Sequence, residues 1–202
     1  MTEPHAPQDA RPLRFYYRVA LKVLSLAGVA ALALVMLSGL LGSWFGAGEA
    51  ERAHVQTVDL ADLSPGGIRK LAWDGRPVWI LRRTPAMEAA DARVSGRLYD
   101  PASRLSRQPS AYRNAHRAAS PEWFVFIALG TDLNCPLDYV PPGSGDEGEG
   151  DAWDGGFVDR CRGSRYDFAG RVLQDQPARR NLEVPPYRLV SDTRLVLGEP
   201  PR

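Results

Sequence analysis

The hydrophobic residues form one long block near the N-terminus and several short blocks after residue 55. The long block, Val23–Phe45, reads VLSLAGVAALALVMLSGLLGSWF and contains no charged residue. A helix of this length spans roughly 34 Å at about 1.5 Å per residue, which is enough to cross the hydrocarbon core of a bilayer. The pattern therefore predicts a transmembrane helix over residues 23–45, with the lipid bilayer around it.

The charges on the two sides of this block differ, because four basic residues precede it and a mixed set follows. These residues are Arg11, Arg14, Arg18 and Lys22 before it, and Glu49, Glu51 and Arg52 after it. Basic residues tend to stay on the cytoplasmic side. We therefore expect a cytoplasmic segment over 1–22, a single pass through the inner membrane, a linker over 46–56 and a periplasmic domain over 57–202.

A cleaved signal peptide is the alternative interpretation of the long block. The apolar part of a signal peptide usually runs about 7–15 residues, and no clear A-x-A cleavage site follows here. An uncleaved membrane anchor is the interpretation that we favour.

The short blocks have the length and spacing of β-strands. Two of them, Ile68–Trp73 and Val78–Arg82, are separated at Asp74-Gly75, which is a strong hairpin signal. The continuous apolar run Trp123–Leu129 predicts a buried strand. YRLVSDTRLVLG predicts a last hairpin that turns at Ser191-Asp192, and residues 85–120 predict one or two short helices. Together these features predict an all-β, antiparallel domain with a few short helices.

Composition narrows the range of functions. The net charge is +1, so nothing suggests that the chain binds nucleic acid. The chain has two cysteines, Cys135 and Cys161, and in an oxidising compartment such a pair is most simply a disulfide. A thiol enzyme or sensor is the alternative, although only neighbouring arginines could activate a thiolate. A hydrolase lacks support, because no G-x-S-x-G or H-E-x-x-H motif is present.

Between the cysteines lies a glycine-rich acidic stretch, residues 143–154, which we expect to be a solvated loop. Its acidic spacing does not match a calcium-binding loop. Its charges could instead steer a basic partner such as cytochrome c towards the protein. A solubilising insertion is the simpler alternative.

Several segments together resemble the Rieske iron–sulfur subunit of the cytochrome bc complex, the quinol–cytochrome c oxidoreductase of the respiratory chain. These segments are LSPGGIRKLAWDGRPVWILRRT, PEWFVFIALGTDLNC and GSRYDFAGRVLQDQPARRNLEVPPYRL. The resemblance runs from about residue 63 to residue 198. It implies a Rieske-like β domain behind a single membrane anchor.

The family holds a two-iron cluster with two loops, C-T-H-L-G-C and C-P-C-H-G-S, in which the first Cys and the His of each loop are ligands. Here the first loop reads GTDLNC and the second reads DRCRGS. The ligand positions are therefore Gly130, Asp132, Asp159 and Arg162. Neither Gly nor Arg can ligate iron. We expect no cluster and no other metal, and hence no catalytic residue.

The resemblance also assigns the remaining positions of the two loops. Cys135 and Cys161 match the family's disulfide. Ser164 and Tyr166 match the hydroxyls that hydrogen-bond the cluster sulfurs, and we expect them here to bond local backbone instead. We further predict that Arg162 reaches across the vacated space to pair with Asp132, with Asp159 as a second candidate partner.

The function predicted from these residues is a cluster-free, membrane-anchored subunit without activity of its own. It would have a structural, accessory or assembly role in a respiratory complex that contains cytochrome bc or an oxidase. Its partners would be the membrane-embedded subunits of that complex. The alternative is an active Rieske electron-transfer subunit of quinol–cytochrome c reductase, which would need the iron cluster.

Overall fold

The computed structural model describes residues 13–45, 54–145 and 153–201. The chain divides into two units, residues 1–52 and 53–202. The described part of the first unit is one helix, α1 (Leu13–Phe45). Within α1, Phe15–Ser38 is long and apolar enough to cross a membrane.

In its described residues, 54–145 and 153–201, the second unit is built mainly from nine short strands. Their bounds are β1 (Gln56–Asp59), β2 (Ile68–Trp73), β3 (Arg76–Arg82), β4 (Trp123–Ile127), β5 (Leu137–Val140), β6 (Gly156–Asp159), β7 (Arg165–Tyr166), β8 (Tyr187–Ser191) and β9 (Arg194–Leu197). They form three antiparallel sheets with the orders β1-β9-β8, β2-β3-β4 and β5-β6-β7. The expected antiparallel β domain is confirmed.

The first predicted hairpin is confirmed in register as well as in position. Trp73 pairs with Arg76, so Asp74 and Gly75 form a two-residue turn. Both have positive φ, 47° and 69°, which a type I′ turn requires. Strand β4 pairs with the other edge of β3, and every residue of Trp123–Ile127 is buried. The buried strand predicted from the apolar run is therefore present.

The last hairpin is also present, but its turn lies one residue later than the sequence suggests. Ser191 pairs with Arg194, which leaves Asp192 and Thr193 in the turn. The pairing register shifts between Leu189 and Ser191. A bulge of this kind adds one residue to a strand and cannot be read from the alternation of polar and apolar residues.

Short helices occupy the region between β3 and β4. Helix α2 (Pro85–Val94) is capped by Thr84, whose side chain accepts a hydrogen bond from the Met87 N–H, and the next proline suits the first turn. Two 3₁₀ turns follow at Ser95–Arg97 and Ser110–Tyr112. The expected one or two short helices are thus found.

Aromatic side chains pack together on the two strands that lead into the loops GTDLNC and DRCRGS. The rings of Phe126 on β4 and Phe157 on β6 lie 4.5 Å apart, and Phe126 stacks on Phe124 at 4.7 Å. All three side chains are fully or almost fully buried. Because β4 precedes the first loop and β6 precedes the second, this contact sets where both loops leave the core.

A group of buried charged side chains lies next to the turn after β7. Five ionisable side chains are buried there and form what we call the buried charge cluster: Arg83, Asp91, Arg117, Asp167 and Arg171. Arg171 donates from Nε to Asp167 Oδ2 at 2.6 Å, and Asp91 accepts from the Phe168 N–H at 2.8 Å. Burial raises the pKa of both carboxyl groups.

Arg117 at the centre of this cluster has no exposed surface. Its guanidinium donates to the carbonyl oxygens of Ala169, Gly170 and Leu182, at 3.0, 3.1 and 2.6 Å. These carbonyls belong to the turn after β7 and to the segment before β8. A single side chain thus satisfies backbone groups that would otherwise be buried without partners.

Candidate functional site

The candidate site consists of two loops. The first loop (residues 128–136) joins β4 to β5, and the second loop (residues 160–164) joins β6 to β7. The first loop is closed by Gly130, whose N–H donates to the Cys135 oxygen at 2.8 Å and whose oxygen accepts from the Asn134 N–H at 3.0 Å. Asn134 has a φ of 54°, a conformation that Asn adopts more readily than most residues.

The second loop is a tight turn on the end of β6. Asp159 N–H donates to the Ser164 oxygen, and Gly163 N–H donates to the Asp159 oxygen, both at 2.9 Å. Gly163 has a φ of 71°, which glycine adopts without strain. The Arg160 N–H also donates to the Pro136 oxygen at 3.1 Å, so the backbones of the two loops are directly bonded.

A disulfide joins Cys135 of the first loop to Cys161 of the second. The disulfide expected from the sequence is therefore confirmed. It closes a segment with a sequence separation of 26, for which the chain-entropy model gives a stabilisation of roughly 3–4 kcal/mol. No described cysteine is free. The bond thus links the two loops covalently.

The predicted ion pair across the loops is present. Arg162 Nη1 lies 2.8 Å from Asp132 Oδ2. The two side chains remain 51% and 25% exposed, so the pair is worth roughly 0–1 kcal/mol. The predicted pairing of the Arg162 guanidinium with Asp159 is wrong, because it is the Arg162 backbone N–H that donates to Asp159 Oδ1, at 3.1 Å.

Asp159 points into the first loop instead of towards water. It is only 1% exposed, and Oδ1 accepts from the Cys161 N–H at 2.7 Å and from the Arg162 N–H. Oδ2 is buried without a hydrogen-bond partner among the described residues. A methyl group placed on Gly130 would overlap Oδ2 and lie 2.8 Å from Cγ. The Asp159 carboxyl thus fills the space in which a side chain at position 130 would lie.

Ser164 and Tyr166, which match the family's two hydroxyl positions, form hydrogen bonds with other segments of the chain. Ser164 Oγ accepts from the Ala178 N–H at 3.0 Å. Tyr166 Oη accepts from the Thr131 N–H at 3.1 Å and lies 3.2 Å from Thr131 Oγ1. Both residues are fully buried. Burial raises the pKa of Tyr166, although the hydrogen bonds from Thr131 oppose the shift, so the phenol is neutral at physiological pH.

The side chains at this site do not fit a Rieske cluster. Such a cluster needs two thiolates and two imidazoles, and the four corresponding positions carry Gly130, Asp132, Asp159 and Arg162. Among the described residues, one group of potential metal ligands lies within 4.8 Å, namely Cys135, Asp159 and Cys161. Its two sulfurs are bonded to each other, so neither is a thiolate.

Sequence reasoning missed two residues that make side-chain contacts at the site. Thr131 bonds Tyr166 and also donates from Oγ1 to the Arg180 oxygen at 2.6 Å. Arg160 pairs with Asp138 on β5, with Nη2 2.5 Å from Oδ1. Both contacts join residues more than 20 positions apart, so no local pattern signals them.

The acidic stretch between the cysteines lies largely outside the described residues, which resume at Trp153. Asp154, at its end, forms an ion pair with Arg93 of α2 and accepts from the Gly143 N–H at 3.1 Å. This end of the stretch is therefore tied to the domain. Most of the linker predicted over 46–56 also falls outside the described residues.

Comparison with known proteins decides the family. Over 142 residues the chain is 38% identical to the ubiquinol-cytochrome c reductase iron-sulfur subunit of Allochromatium vinosum, a match that covers 70% of this chain and 68% of that protein. This chain belongs to the family of Rieske iron–sulfur subunits. Over 143 residues it is 37% identical to the mitochondrial cytochrome b-c1 complex subunit Rieske-4 of Nicotiana tabacum, a match that covers 70% of this chain and 51% of that protein.

The mitochondrial Rieske subunit of Solanum tuberosum is 36% identical over 143 residues, and 46% of its length is covered. The chain thus spans about half the length of these plant Rieske relatives. No protein-family model matches the chain. Among solved structures, a chain of a hyperthermophilic respiratory Complex III aligns with a TM-score of 0.41 and 15% identity, covering 88% of this chain and 98% of that one.

Proposed function

We propose that this chain is a cluster-free Rieske subunit, anchored in the membrane, that has a structural, accessory or assembly role in a respiratory complex. Membership of the Rieske family supports the respiratory complex as its setting. The ligand positions argue against electron transfer, because function is decided by the site and not by the fold.

One observation carries this proposal. The Asp159 carboxyl, at one cysteine-ligand position, lies against Gly130 at the other. At the two histidine positions, Arg162 is bonded to Asp132. Each pair of residues that would share an iron in the family is here in direct contact. Restoring Cys at position 130 alone would therefore overlap Asp159, and restoring His at position 132 or 162 alone would leave the other member of the ion pair without its partner.

The membrane topology that we propose follows from charge and hydropathy. α1 contains a segment that is apolar enough to cross a bilayer. Four basic residues precede its uncharged block at 23–45, while a mixed set of charges follows that block. The positive-inside rule then favours a cytoplasmic N-terminus and a periplasmic β domain at the inner membrane. The disulfide agrees with this proposal, because disulfides persist mainly in oxidising compartments.

The deciding experiment measures iron in the full chain purified in detergent. We expect neither stoichiometric iron nor acid-labile sulfide, and no electron paramagnetic resonance signal after reduction. The matched control is the fourfold variant Gly130→Cys, Asp132→His, Asp159→Cys and Arg162→His, expressed in the same way, which tests whether the host can load this scaffold. Two irons and two sulfides per native chain would overturn the cluster-free proposal and establish the electron carrier.

The role within a complex is tested by identifying the partners that co-purify from native membranes after mild detergent extraction. We expect membrane-embedded subunits of a cytochrome bc or oxidase-containing complex. A second, cluster-bearing Rieske subunit in the same preparation would indicate an accessory role. A complex in which this chain replaces that subunit would indicate an assembly stage. Isolation of the chain alone would contradict the proposal.

A further inference from the structure

A cavity of about 370 Å³ lies beside the first loop. This volume is within the range of small-molecule binding sites. Its lining has an apolar part, formed by Ile127 and Leu129, and a polar part that includes three arginines, Arg76, Arg107 and Arg180. One carboxylate, Glu183, is also present. The side chains around the cavity therefore carry a net charge of +2, from three arginines and one glutamate.

The carboxylate is already fully engaged. Arg76 donates from Nη1 and Nη2 to the two oxygens of Glu183, at 2.6 and 2.8 Å. This hydrogen bond is the largest cause of the raised pKa of Arg76. Because this bidentate pair uses both carboxylate oxygens, the positive charge of Arg107 and Arg180 is not neutralised by Glu183.

The backbone of Arg107 is held by a hydrogen bond, whereas its side chain has no partner among the described residues. Its carbonyl oxygen accepts from the Val184 N–H at 3.0 Å, which holds the residue next to the cavity. Within the described part of the chain, its guanidinium makes no hydrogen bond or ion pair. Arg180 donates from Nη2 to the Thr131 oxygen at 3.2 Å, and its other nitrogens make no hydrogen bond to a described residue.

The remaining polar side chains of the cavity also favour a negatively charged ligand. The side-chain amide of Asn134 is exposed and makes no hydrogen bond to a described residue, so it can donate to a ligand. Asn181, in contrast, is buried and forms a rigid part of the lining, because its amide bonds Asp100, Ser103 and Val172. The cavity thus presents donors and cationic groups while its carboxylate is occupied. This arrangement suits an oxyanion.

We infer that this cavity binds a small organic phosphate, with the phosphate group on Arg107, Arg180 and Asn134 and the carbon portion against Ile127 and Leu129. A phosphate monoester carries close to two negative charges at neutral pH, which matches the excess charge around the cavity. Guanidinium groups are well shaped for phosphate oxygens. The inference does not depend on whether the loops hold a cluster.

The probe is glycerol 3-phosphate, and its binding to the full chain in lipid-free detergent is measured by titration calorimetry. The salt concentration is about 0.15 M, at which non-specific attraction between charges is largely screened. We expect saturable binding that Arg107→Ala weakens by about tenfold or more, because a charge-assisted hydrogen bond is lost. Arg107→Lys should keep only part of the affinity, since an ammonium cannot replace the planar fork.

The matched control is Arg104→Ala, which removes an exposed arginine three positions away that does not line the cavity. It should leave the affinity unchanged. An equal loss in both alanine variants would overturn the inference, because the attraction would then be diffuse surface charge.

The phosphate could belong to a free ester or to a lipid headgroup. The chain in nanodiscs with phosphatidic acid, compared with phosphatidylcholine alone, separates these sources. Protection of Arg107 from arginine-specific modification only with phosphatidic acid would assign a lipid ligand. Absence of binding to glycerol 3-phosphate together with no protection by phosphatidic acid would reject the site.

Discussion

The buried charge cluster and the two loops both place arginine against aspartate, but in opposite surroundings. The side chains of Arg171 and Asp167 are 9% and 1% exposed, whereas those of Arg162 and Asp132 are 51% and 25% exposed. A buried pair is costly to break because each partner is left uncompensated. An exposed pair is solvated whether or not it forms. Ionic contacts should therefore hold the domain interior, while the disulfide holds the loops.

The largest effect is expected from Arg117→Met, which removes the centre of the buried charge cluster. The carbonyls of Ala169, Gly170 and Leu182 lose their donor, so the free energy of unfolding should fall by about 3–5 kcal/mol. Chemical denaturation followed by tryptophan fluorescence measures this value. Arg104→Met at an exposed position is the control and should change it by less than about 0.5 kcal/mol. A similar small change in both variants would contradict the comparison.

The second largest effect is expected when the disulfide is removed. Replacing both Cys135 and Cys161 by Ala should lower the free energy of unfolding by roughly 3–4 kcal/mol. Limited proteolysis should then cut within residues 130–135 or 160–164, because the loops have lost their covalent link. Treating the native chain with a strong thiol reductant should reproduce both results. A protease-resistant double variant would show that the non-covalent contacts suffice.

Gly130→Ala tests whether the Asp159 carboxyl occupies the space beside Gly130. The added methyl overlaps Asp159 Oδ2, and overpacking of this kind typically costs about 1–3 kcal/mol. In the Asp159→Gly background the same substitution should cost much less, since the carboxyl is gone. A double-mutant cycle on unfolding free energies measures the coupling. Equal costs in the two backgrounds would show that the residues do not compete for space.

The buried charge cluster should also make stability depend on pH. Burial, followed by the nearby Asp167 carboxyl, raises the pKa of Asp91 to about 8, and Arg171, the Phe168 N–H and Arg83 oppose this shift. The folded state therefore holds a proton that the unfolded state releases near pH 4. Stability is fully present below that value and is lost as pH rises towards 8.

Between pH 5 and pH 8 we expect the free energy of unfolding to fall by roughly 3–4 kcal/mol. Asp91→Asn, which cannot ionise, should flatten this profile and is measured by denaturation at a series of pH values. Asp138→Asn is the control and should leave the slope unchanged, because the hydrogen bond from Arg160 lowers the pKa of this exposed carboxyl and keeps it ionised throughout this range. Stability that rises over this pH range in the native chain would contradict the assignment.

The smallest effect is expected from the ion pair between the loops. The coupling between Asp132→Ala and Arg162→Ala should be below about 1 kcal/mol and should shrink as salt is added. A double-mutant cycle at low and high salt measures it. A coupling of several kcal/mol, independent of salt, would mean that this pair and not the disulfide holds the loops together.

Some parts of the fold could be predicted because their signals are local. The β2–β3 hairpin was predicted correctly because Asp74-Gly75 suits the positive φ of its turn, and β4 because Trp123–Ile127 is apolar throughout. The turn at Asp192 was misplaced by one residue because a register shift intervened. The buried charge cluster was not predicted, since Arg83, Arg117 and Arg171 look in sequence like ordinary surface arginines.

The sequence by itself determined which donors the loops can offer. Side-chain chemistry at Gly130, Asp132, Asp159 and Arg162 does not depend on how the chain folds, so the lack of thiolate and imidazole there follows from residue identity alone. It also determined the apolar span, because length and hydropathy are sums over neighbouring residues.

Only the tertiary structure decided what replaced the missing ligands. That Asp159 turns inward against Gly130, and that Thr131 joins Tyr166 to the Arg180 segment, depends on contacts between residues more than 25 positions apart. The same holds for the cavity, in which the Arg107 guanidinium has no partner among the described residues. Such contacts arise when packing of β4 against β6 brings distant segments together, and no pattern of neighbouring residues encodes that proximity.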